Sequence, residues 1–214
     1  MLRIVTTIHK LPTDIIQRHG TVTIEVDIMY VNGIPFVVIT SHHIHFYTAE
    51  LIKNEKSTTI AIAIKQVIQI YHRRDFKVQF LLGDGQFEHI CNYFADTDVT
   101  INITGRNKHV PAIERSIRMI KERIRVIVNQ LTFKTYSHRL IVKLVYNVVF
   151  WLNIFPHRDG MSPRTILTGL HINHHKHCTL KFSSYIQIHK QHNNSMTAHT
   201  SGAIALQPAD NIQG

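Results

Sequence analysis

The sequence has few cysteines, no long apolar run and a deficit of acidic residues. Its two cysteines, Cys91 and Cys178, are too few for a disulfide framework, so we expect a reducing compartment. The longest apolar runs, 60–64 and 148–151, are too short to cross a membrane, and the amino terminus lacks the apolar stretch of a signal peptide. We therefore expect no membrane-spanning segment and no disulfide-stapled secreted domain.

The charge balance favours a polyanionic partner. The chain has 214 residues, 44% of them apolar, which suffices for one domain or for one domain with a tail. Against 14 Asp and Glu it carries 24 Lys and Arg, a net charge of +10, and it also has 17 His. Nucleic acid is the first candidate and an anionic membrane the second, although a basic surface can also be an ordinary solvated face.

The order of patterns predicts an α/β fold with a mixed sheet. High β propensity and an Asn32-Gly33 turn predict a strand over 21–31 and its hairpin return over 34–40. The remaining expected segments are a strand over 43–47, a helix over 56–73 capped by Ser57 or Thr58, a strand over 78–82, a short helix over 87–94, a strand over 99–103, and helices over 110–130 and 137–155. A last turn of helix should end at Gly169.

These patterns suggest three segments. Residues 1–20 form a lead-in, residues 21–169 form the domain, and residues 170–214 form a His-rich, weakly structured segment with short strands over 185–188 and 203–206. Crossover helices between strands predict parallel pairing after the antiparallel start.

Three carboxylates are candidates for one site. Asp84 lies between two glycines at the end of a buried strand, where an unpaired charge is costly. Asp27 lies within the first strand and shares a face with Glu25, while Glu114 falls in the first turn of a helix. Asp84 could instead close a turn or cap the next helix, and Glu114 could simply suit a helix start.

If the strands are neighbours, Asp27, Asp84 and Glu114 converge on an oxygen-rich site. Such a site suits Mg²⁺ or Mn²⁺. Two ions roughly 3.5–4 Å apart would activate water or a 3′-hydroxyl and stabilise the leaving oxygen of a phosphodiester.

The helix that carries Glu114 is basic. Arg115, Arg118, Lys121 and Arg125 lie on or beside one helical face, opposite an apolar stripe. They could bind DNA phosphates next to the metal site, or they could be a solvated helix face.

The order of four motifs resembles the catalytic core of copia-type retrotransposon integrases, members of the retroviral integrase (DDE) superfamily. The motifs are VDIMYVNGIPFVVIT, LLGDGQFEHI, PAIERSIRMIKERIR, and VYNVVFWLNIFP followed by SPRTILTG. The resemblance covers residues 21–169 and implies an RNase H-like fold, with a five-stranded mixed sheet flanked by helices. It also implies that Asp27, Asp84 and Glu114 are catalytic and hold two Mg²⁺ or Mn²⁺ ions.

The resemblance further implies a reaction and partners. The reaction would be metal-dependent 3′-end processing and strand transfer, which joins element DNA ends to target DNA. The partners would be double-stranded DNA and further copies of the chain, in the nucleus after a cytoplasmic particle stage. Asn107 and Lys108 would lie on a mobile loop near the DNA.

The chain also departs from the family pattern. The second motif usually reads D-N-G-x-E-F, whereas this chain has Asp84-Gly85-Gln86-Phe87, with Gln in place of the acid. The interval between Asp84 and Glu114 is shorter than usual, and the lead-in has no His-His-Cys-Cys zinc domain. A catalytically decayed RNase H-like domain that binds nucleic acid or oligomerises is therefore the alternative, and an RNase H-type nuclease is a third.

Two groups of histidines are weaker candidates for metal sites. His171, His174, His175, His177 and Cys178 are crowded rather than regularly spaced, which favours a flexible basic segment over a zinc site. We expect His43 and His45 to form one exposed face of a strand.

Overall fold

The structure is a computed structural model that describes residues 10–103, 111–156, 160–172, 179–190, 196 and 198–206. The helices are α1 (Thr13–His19), α2 (Ser57–His72), α3 (Pro111–Gln130), α4 (His138–Ile154) and α5 (Pro163–Thr168), with a 3₁₀ helix at Gly85–Phe94. The strands are β1 (Thr21–Val31), β2 (Ile34–Ser41), β3 (Tyr47–Leu51), β4 (Lys77–Gly83), β5 (Thr100–Ile103), β6 (Tyr185–His189) and β7 (Thr200–Ile204).

Five strands form one mixed sheet in the order β3-β2-β1-β4-β5. The β1–β2 and β2–β3 pairs are antiparallel, whereas β1–β4 and β4–β5 are parallel. The parallel pairs follow from crossovers through α2 and the 3₁₀ helix, as a strand–helix–strand unit requires. This five-stranded mixed sheet flanked by helices confirms the expected RNase H-like fold.

Side chains alternate between two apolar cores, one on each face of the sheet. Val22, Ile24 and Val26 of β1 pack with α2, the 3₁₀ helix and α5. Met29 and Val31 of the same strand pack with α3 and α4 on the other face. Since the strand period is two, Asp27 shares the parity of Met29 and therefore belongs to the α3 side.

The long helices pack as their periodicity predicts. Ile113, Ile120 and Ile124 of α3 are buried against the sheet and α4. Ser137 caps α4 by accepting a hydrogen bond from the Leu140 N–H at 3.3 Å. Gly169 ends α5 with φ 72°, a left-handed conformation that favours glycine.

Asn153, near the end of α4, is a polar anchor within the second core. Its side chain accepts from the Tyr47 N–H at 2.8 Å and donates to the Tyr47 carbonyl at 2.7 Å. The amide thus replaces a neighbouring strand at the outer edge of β3, where backbone groups would otherwise lack partners.

The expected third strand over 43–47 is wrong, because β3 begins at Tyr47. His43 and His45 have φ of 63° and 54°, which an extended strand cannot contain. They lie in a turn closed by a hydrogen bond from the Ser41 N–H to the Phe46 carbonyl at 3.2 Å. Both histidines are exposed, whereas Ile44 and Phe46 of the same turn are buried.

The expected cap of α2 by Ser57 or Thr58 is also wrong. The N-cap is Lys56, which makes no side-chain cap. Asn54 contacts the helix start without capping it: its Oδ1 accepts from the Lys56 N–H at 3.2 Å and from the Thr59 hydroxyl at 2.8 Å.

After α5, β6 and β7 form a separate antiparallel hairpin. The strand expected over 185–188 is observed, whereas its partner begins at Thr200 rather than at position 203. The division of the chain at 20 and 169 stays a prediction. In the described part of the chain, no helix combines the length and apolarity needed to span a membrane.

Candidate metal centre and nucleic-acid interface

Asp27 and Asp84 lie at equivalent positions of two adjacent parallel strands. The β1–β4 register pairs Glu25 with Leu82, so the next residues of the same parity are Asp27 on β1 and Asp84 just after β4. Both side chains therefore lie at the carboxyl end of β4, toward α3. This juxtaposition was expected from the sequence only on the condition that the two strands were neighbours.

Asp84 caps the 3₁₀ helix that follows β4. Its Oδ1 accepts a hydrogen bond from the Gln86 N–H at 3.1 Å. The capping alternative is thus confirmed, and it is compatible with a site role because a carboxylate oxygen has two lone pairs. Behind this turn, a Cβ on Gly83 would lie 3.0 Å from the Phe87 ring, so a larger residue would push against that buried ring.

Gln86 connects the two carboxylates. Its side-chain Nε2 donates to Asp27 Oδ1 at 3.2 Å, and the Ile28 N–H donates to the same oxygen at 2.7 Å. Through its backbone and its side chain, Gln86 therefore contacts both Asp84 and Asp27. In the sequence, Gln86 stands out only as a departure from the family pattern, and no local pattern indicates its contact with Asp27.

Glu114 lies in the first turn of α3, and its charge reaches Asp27. Burial raises the pKa of the Asp27 carboxyl above its usual 3.8, and the negative charges of Asp84 and Glu114 raise it further. The hydrogen bonds from Ile28 and Gln86 oppose the rise in pKa. The three predicted carboxylates thus share one electrostatic environment although they come from β1, the β4 end and α3.

This environment has the chemistry of a divalent-cation site without the finished geometry. Negative charge that gathers around a partly buried carboxyl such as Asp27 is compensated by a hard cation with oxygen ligands. Within the described ranges, no three His, Cys, Asp or Glu side chains are grouped closely enough to hold a metal ion. Asp27, Asp84 and Glu114 would have to close on the ion as it binds.

The basic stripe is the row of cationic side chains on α3. Arg118, Lys121 and Arg125 follow Glu114 at steps of four, three and four, so all of them lie on the same side of the helix, and Arg115 lies beside them. The three arginines are exposed and Lys121 is half-buried. The stripe therefore lies on an exposed flank of α3, next to the buried face of the helix, and starts at Glu114.

Arg125 lies at the far end of this stripe. With a rise of about 1.5 Å per residue, it is roughly 16 Å along α3 from Glu114. Arg125 also borders a cavity of about 340 Å³ between the carboxyl end of α3 and the start of α4. Asn107 and Lys108, the other predicted nucleic-acid contacts, lie outside the described residues.

A buried glutamate that contacts a histidine lies on the same face as Asp27, and no sequence pattern predicted this contact. Glu25 is only 2% exposed and is bonded to His42 Nε2, while its Oε2 has no hydrogen-bond partner. The signal available in the sequence was an acidic residue at a core position of β1. The link to His42 depends on the turn after β2, whose conformation was not foreseen.

The C-terminal histidine cluster falls mostly outside the described residues. His174, His175, His177 and Cys178 are not described, and His171 is exposed. The expectation that this segment is basic and flexible rather than a zinc site stays a prediction.

The chain was compared with protein families, with curated proteins and with solved structures. No protein-family model matches the chain, and the comparison with curated proteins found no match. The catalytic core domain of BIV integrase is similar, with 19% identity and a TM-score of 0.48 over 70% of this chain and 93% of that one. The HTLV-2 integrase catalytic core domain, in complex with magnesium in a trimeric form, has 12% identity and a TM-score of 0.47 over 77% of this chain and 99% of that one.

Proposed function

We propose that the chain is the catalytic core of an integrase, a metal-dependent polynucleotidyl transferase that joins element DNA ends to target DNA. The observation that carries the proposal is the position of Asp27, within β1, beside Asp84, which directly follows the adjacent parallel strand β4, with the charge of Glu114 acting on Asp27. The fold supports the proposal because this arrangement holds carboxylates from separate elements on a rigid sheet.

In this proposal Asp27, Asp84 and Glu114 bind two Mg²⁺ or Mn²⁺ ions. Bound divalent ions would supply Lewis-acid activation of a water or a 3′-hydroxyl and stabilisation of the leaving oxygen. Asp27 and Asp84 contribute from the sheet, which fixes their spacing. Glu114 contributes from the first turn of α3, so its approach to the two aspartates depends on how that helix is seated.

The basic stripe positions DNA in the same proposal. Arg115, Arg118, Lys121 and Arg125 would contact phosphates of the element end or of the target, beginning beside the carboxylates. Such contacts orient a duplex without reading its sequence. Asn107 and Lys108, which precede α3, would contact the DNA near the reacting bond.

The finer assignment rests on the order of the sequence motifs. We infer a copia-type retrotransposon as the source, with the chain as part of a polyprotein, and action as a homo-oligomer in the nucleus after a cytoplasmic particle stage. These assignments of source, polyprotein context, oligomer and location rest on the motif resemblance alone.

A second candidate is a catalytically decayed domain that binds nucleic acid. It is favoured by the absence of a closed metal-binding group in the described part of the chain and by the amide of Gln86 where the family pattern has an acid. Such a domain would keep the basic stripe and lose the need for a divalent ion.

Mn²⁺-dependent strand transfer separates the two candidates. The substrate is a short duplex that mimics an element end, with a labelled target duplex, and the variants are the wild type, Asp84→Asn and Asp96→Asn. Asp96 is an exposed aspartate just beyond the 3₁₀ helix, so it controls for the change of charge. An RNA–DNA hybrid in a parallel reaction tests the nuclease alternative.

We expect joined products with the wild type and with Asp96→Asn, and none with Asp84→Asn. DNA binding that is the same in Mn²⁺ and in a chelator, without products from any variant, would instead establish the decayed domain. Cleavage restricted to the RNA of the hybrid would identify a nuclease.

A further inference from the structure

We propose that Gln86 is a positioning residue that competes with a divalent cation for Oδ1 of Asp27. The inference rests on the proposed function, since it concerns the same carboxylates. It adds a control on metal binding that lies within this chain. In the metal-free state the Gln86 amide occupies a ligand position, and it must leave that position before the ion can use it.

The hydrogen-bond count at Asp27 supports this competition. A carboxylate oxygen offers two lone pairs, and Oδ1 of Asp27 accepts from the Ile28 N–H at 2.7 Å and from Gln86 Nε2 at 3.2 Å. The Ile28 N–H cannot move away from Asp27 because it is a backbone group of the next peptide unit, which is fixed in β1. The Gln86 amide is therefore the only one of these two donors that can be displaced by side-chain rotation.

The position of Gln86 keeps the free-energy cost of displacing its amide low. Its side chain is exposed, so the released amide would be solvated by water. Its backbone N–H stays on Asp84 Oδ1 at 3.1 Å, which keeps the residue near the site while the side chain moves. A neutral donor in this position favours the negative form of Asp27 and so offsets part of the rise in its pKa that burial and the charges of Asp84 and Glu114 cause.

The competition is partial. Asp27 Oδ2 is not engaged by Gln86, so an ion can begin to bind through that oxygen. The amide therefore weakens the affinity for a cation without abolishing it. A hydrogen bond to a charged group of this exposure corresponds to roughly a 3- to 10-fold change in the dissociation constant.

The test is direct binding of Mn²⁺ alone, measured from the loss of the free-ion signal in electron paramagnetic resonance. The proteins are the full chain as wild type, Gln86→Ala, Asp84→Asn and Gln66→Ala. Gln66 is an exposed glutamine on α2, on the opposite side of the sheet, and controls for the loss of a surface amide. We expect Gln86→Ala to bind about 3- to 10-fold more tightly than the wild type and Gln66→Ala to match the wild type.

A second readout follows the amide itself. In ¹⁵N–¹H spectra of the wild type, the side-chain NH₂ signals of Gln86 are identified as those that are absent from the Gln86→Ala spectrum. These signals should shift when Mg²⁺ is added to the wild type. The corresponding signals of Gln66 should stay in place. A residue that only supports the fold would leave the Gln86 amide signals unchanged on metal addition.

The possible outcomes separate this inference from the proposed function. If Asp84→Asn loses Mn²⁺ binding while Gln86→Ala equals the wild type or binds more weakly, the competition is refuted and the metal site stands. If Gln86→Ala binds and the wild type does not, the competition is strong and is supported. If neither binds, both the competition and the metal site are refuted.

Discussion

Asp27 and Asp84 lie side by side because each is two residues beyond the last pair of the parallel β1–β4 register, Glu25 with Leu82. The two carboxylates are contributed by strands that adjoin in the sheet but are far apart in the chain. Their closeness is visible in the pKa of Asp27, which is raised mainly by burial and additionally by the charge of Asp84. The relationship has consequences for stability as well as for chemistry.

Divalent ions should stabilise the fold through these carboxylates. At 100 times its dissociation constant, an ion that binds only the folded state adds about 2.7 kcal/mol to the free energy of unfolding. We expect Mn²⁺ to raise the urea midpoint of the wild type and of Asp96→Asn, and to leave Asp84→Asn and Glu114→Gln unchanged. An equal rise in all four proteins would mean that the ion binds elsewhere.

The basic stripe should contribute to DNA affinity without regard to sequence. Arg118→Ala should weaken binding to any duplex and should lower the slope of log affinity against log salt by about 1, because one phosphate contact is lost. Fluorescence anisotropy over a salt series measures both quantities. Arg73→Ala, at the end of α2 on the other side of the sheet, should leave the slope unchanged. An equal effect of both variants would mean that DNA affinity depends on the net charge of the protein and not on the basic stripe.

Glu50 should make stability depend on pH. Burial raises the pKa of its carboxyl above 4.5, so the folded state holds this proton more tightly than the unfolded chain. The stabilising contribution is complete below the unfolded pKa and is lost as pH rises through the folded pKa. Glu50→Gln should therefore be more stable than the wild type at neutral pH, and the difference should vanish below about pH 4.5.

Urea unfolding at several pH values measures this difference. Glu122→Gln, an exposed position on α3, is the matched control and should show no such pH-dependent gain. A Glu50→Gln protein that is less stable than the wild type at neutral pH would contradict the predicted direction.

The anchor between Asn153 and Tyr47 should be important for stability. Asn153→Ala removes two hydrogen bonds and leaves both backbone groups of Tyr47 without partners, which should cost about 2–4 kcal/mol of unfolding free energy. Chemical denaturation measures this cost. Asn92→Ala, at an exposed position of the 3₁₀ helix, should cost much less, and similar losses would show that the anchor is not special.

The buried pair of Glu25 and His42 predicts a coupled effect. His42→Ala leaves the Glu25 carboxylate buried without its partner, and the loss should be about 1–3 kcal/mol because His42 is partly exposed. Adding Glu25→Gln should recover part of that loss, since the uncompensated charge is gone. A double-mutant cycle by urea unfolding measures the coupling, with His89→Ala as an exposed control; additive losses would exclude an interaction.

Local pattern was sufficient for most elements of this fold. The apolar steps along α3, the nearly continuous apolar surface of α4 and the Asn32-Gly33 turn each lie within one segment, so they could be interpreted without knowing the neighbours. The prediction of a strand over 43–47 was wrong because the local pattern there does not reveal the backbone conformation. Its alternating histidines and apolar residues suggest a strand, but positive φ at His43 and His45 makes the segment a turn.

The chain by itself determined which residues are candidates: Asp27, Asp84 and Glu114, together with the basic residues of α3. Only the tertiary structure decided which of them meet. The Gln86 amide contacts Asp27 across 59 positions, and Asn153 holds Tyr47 across 106. Such contacts depend on strand register and on how helices seat against the sheet. These are properties of the whole packed core, and no periodicity within a short segment encodes them.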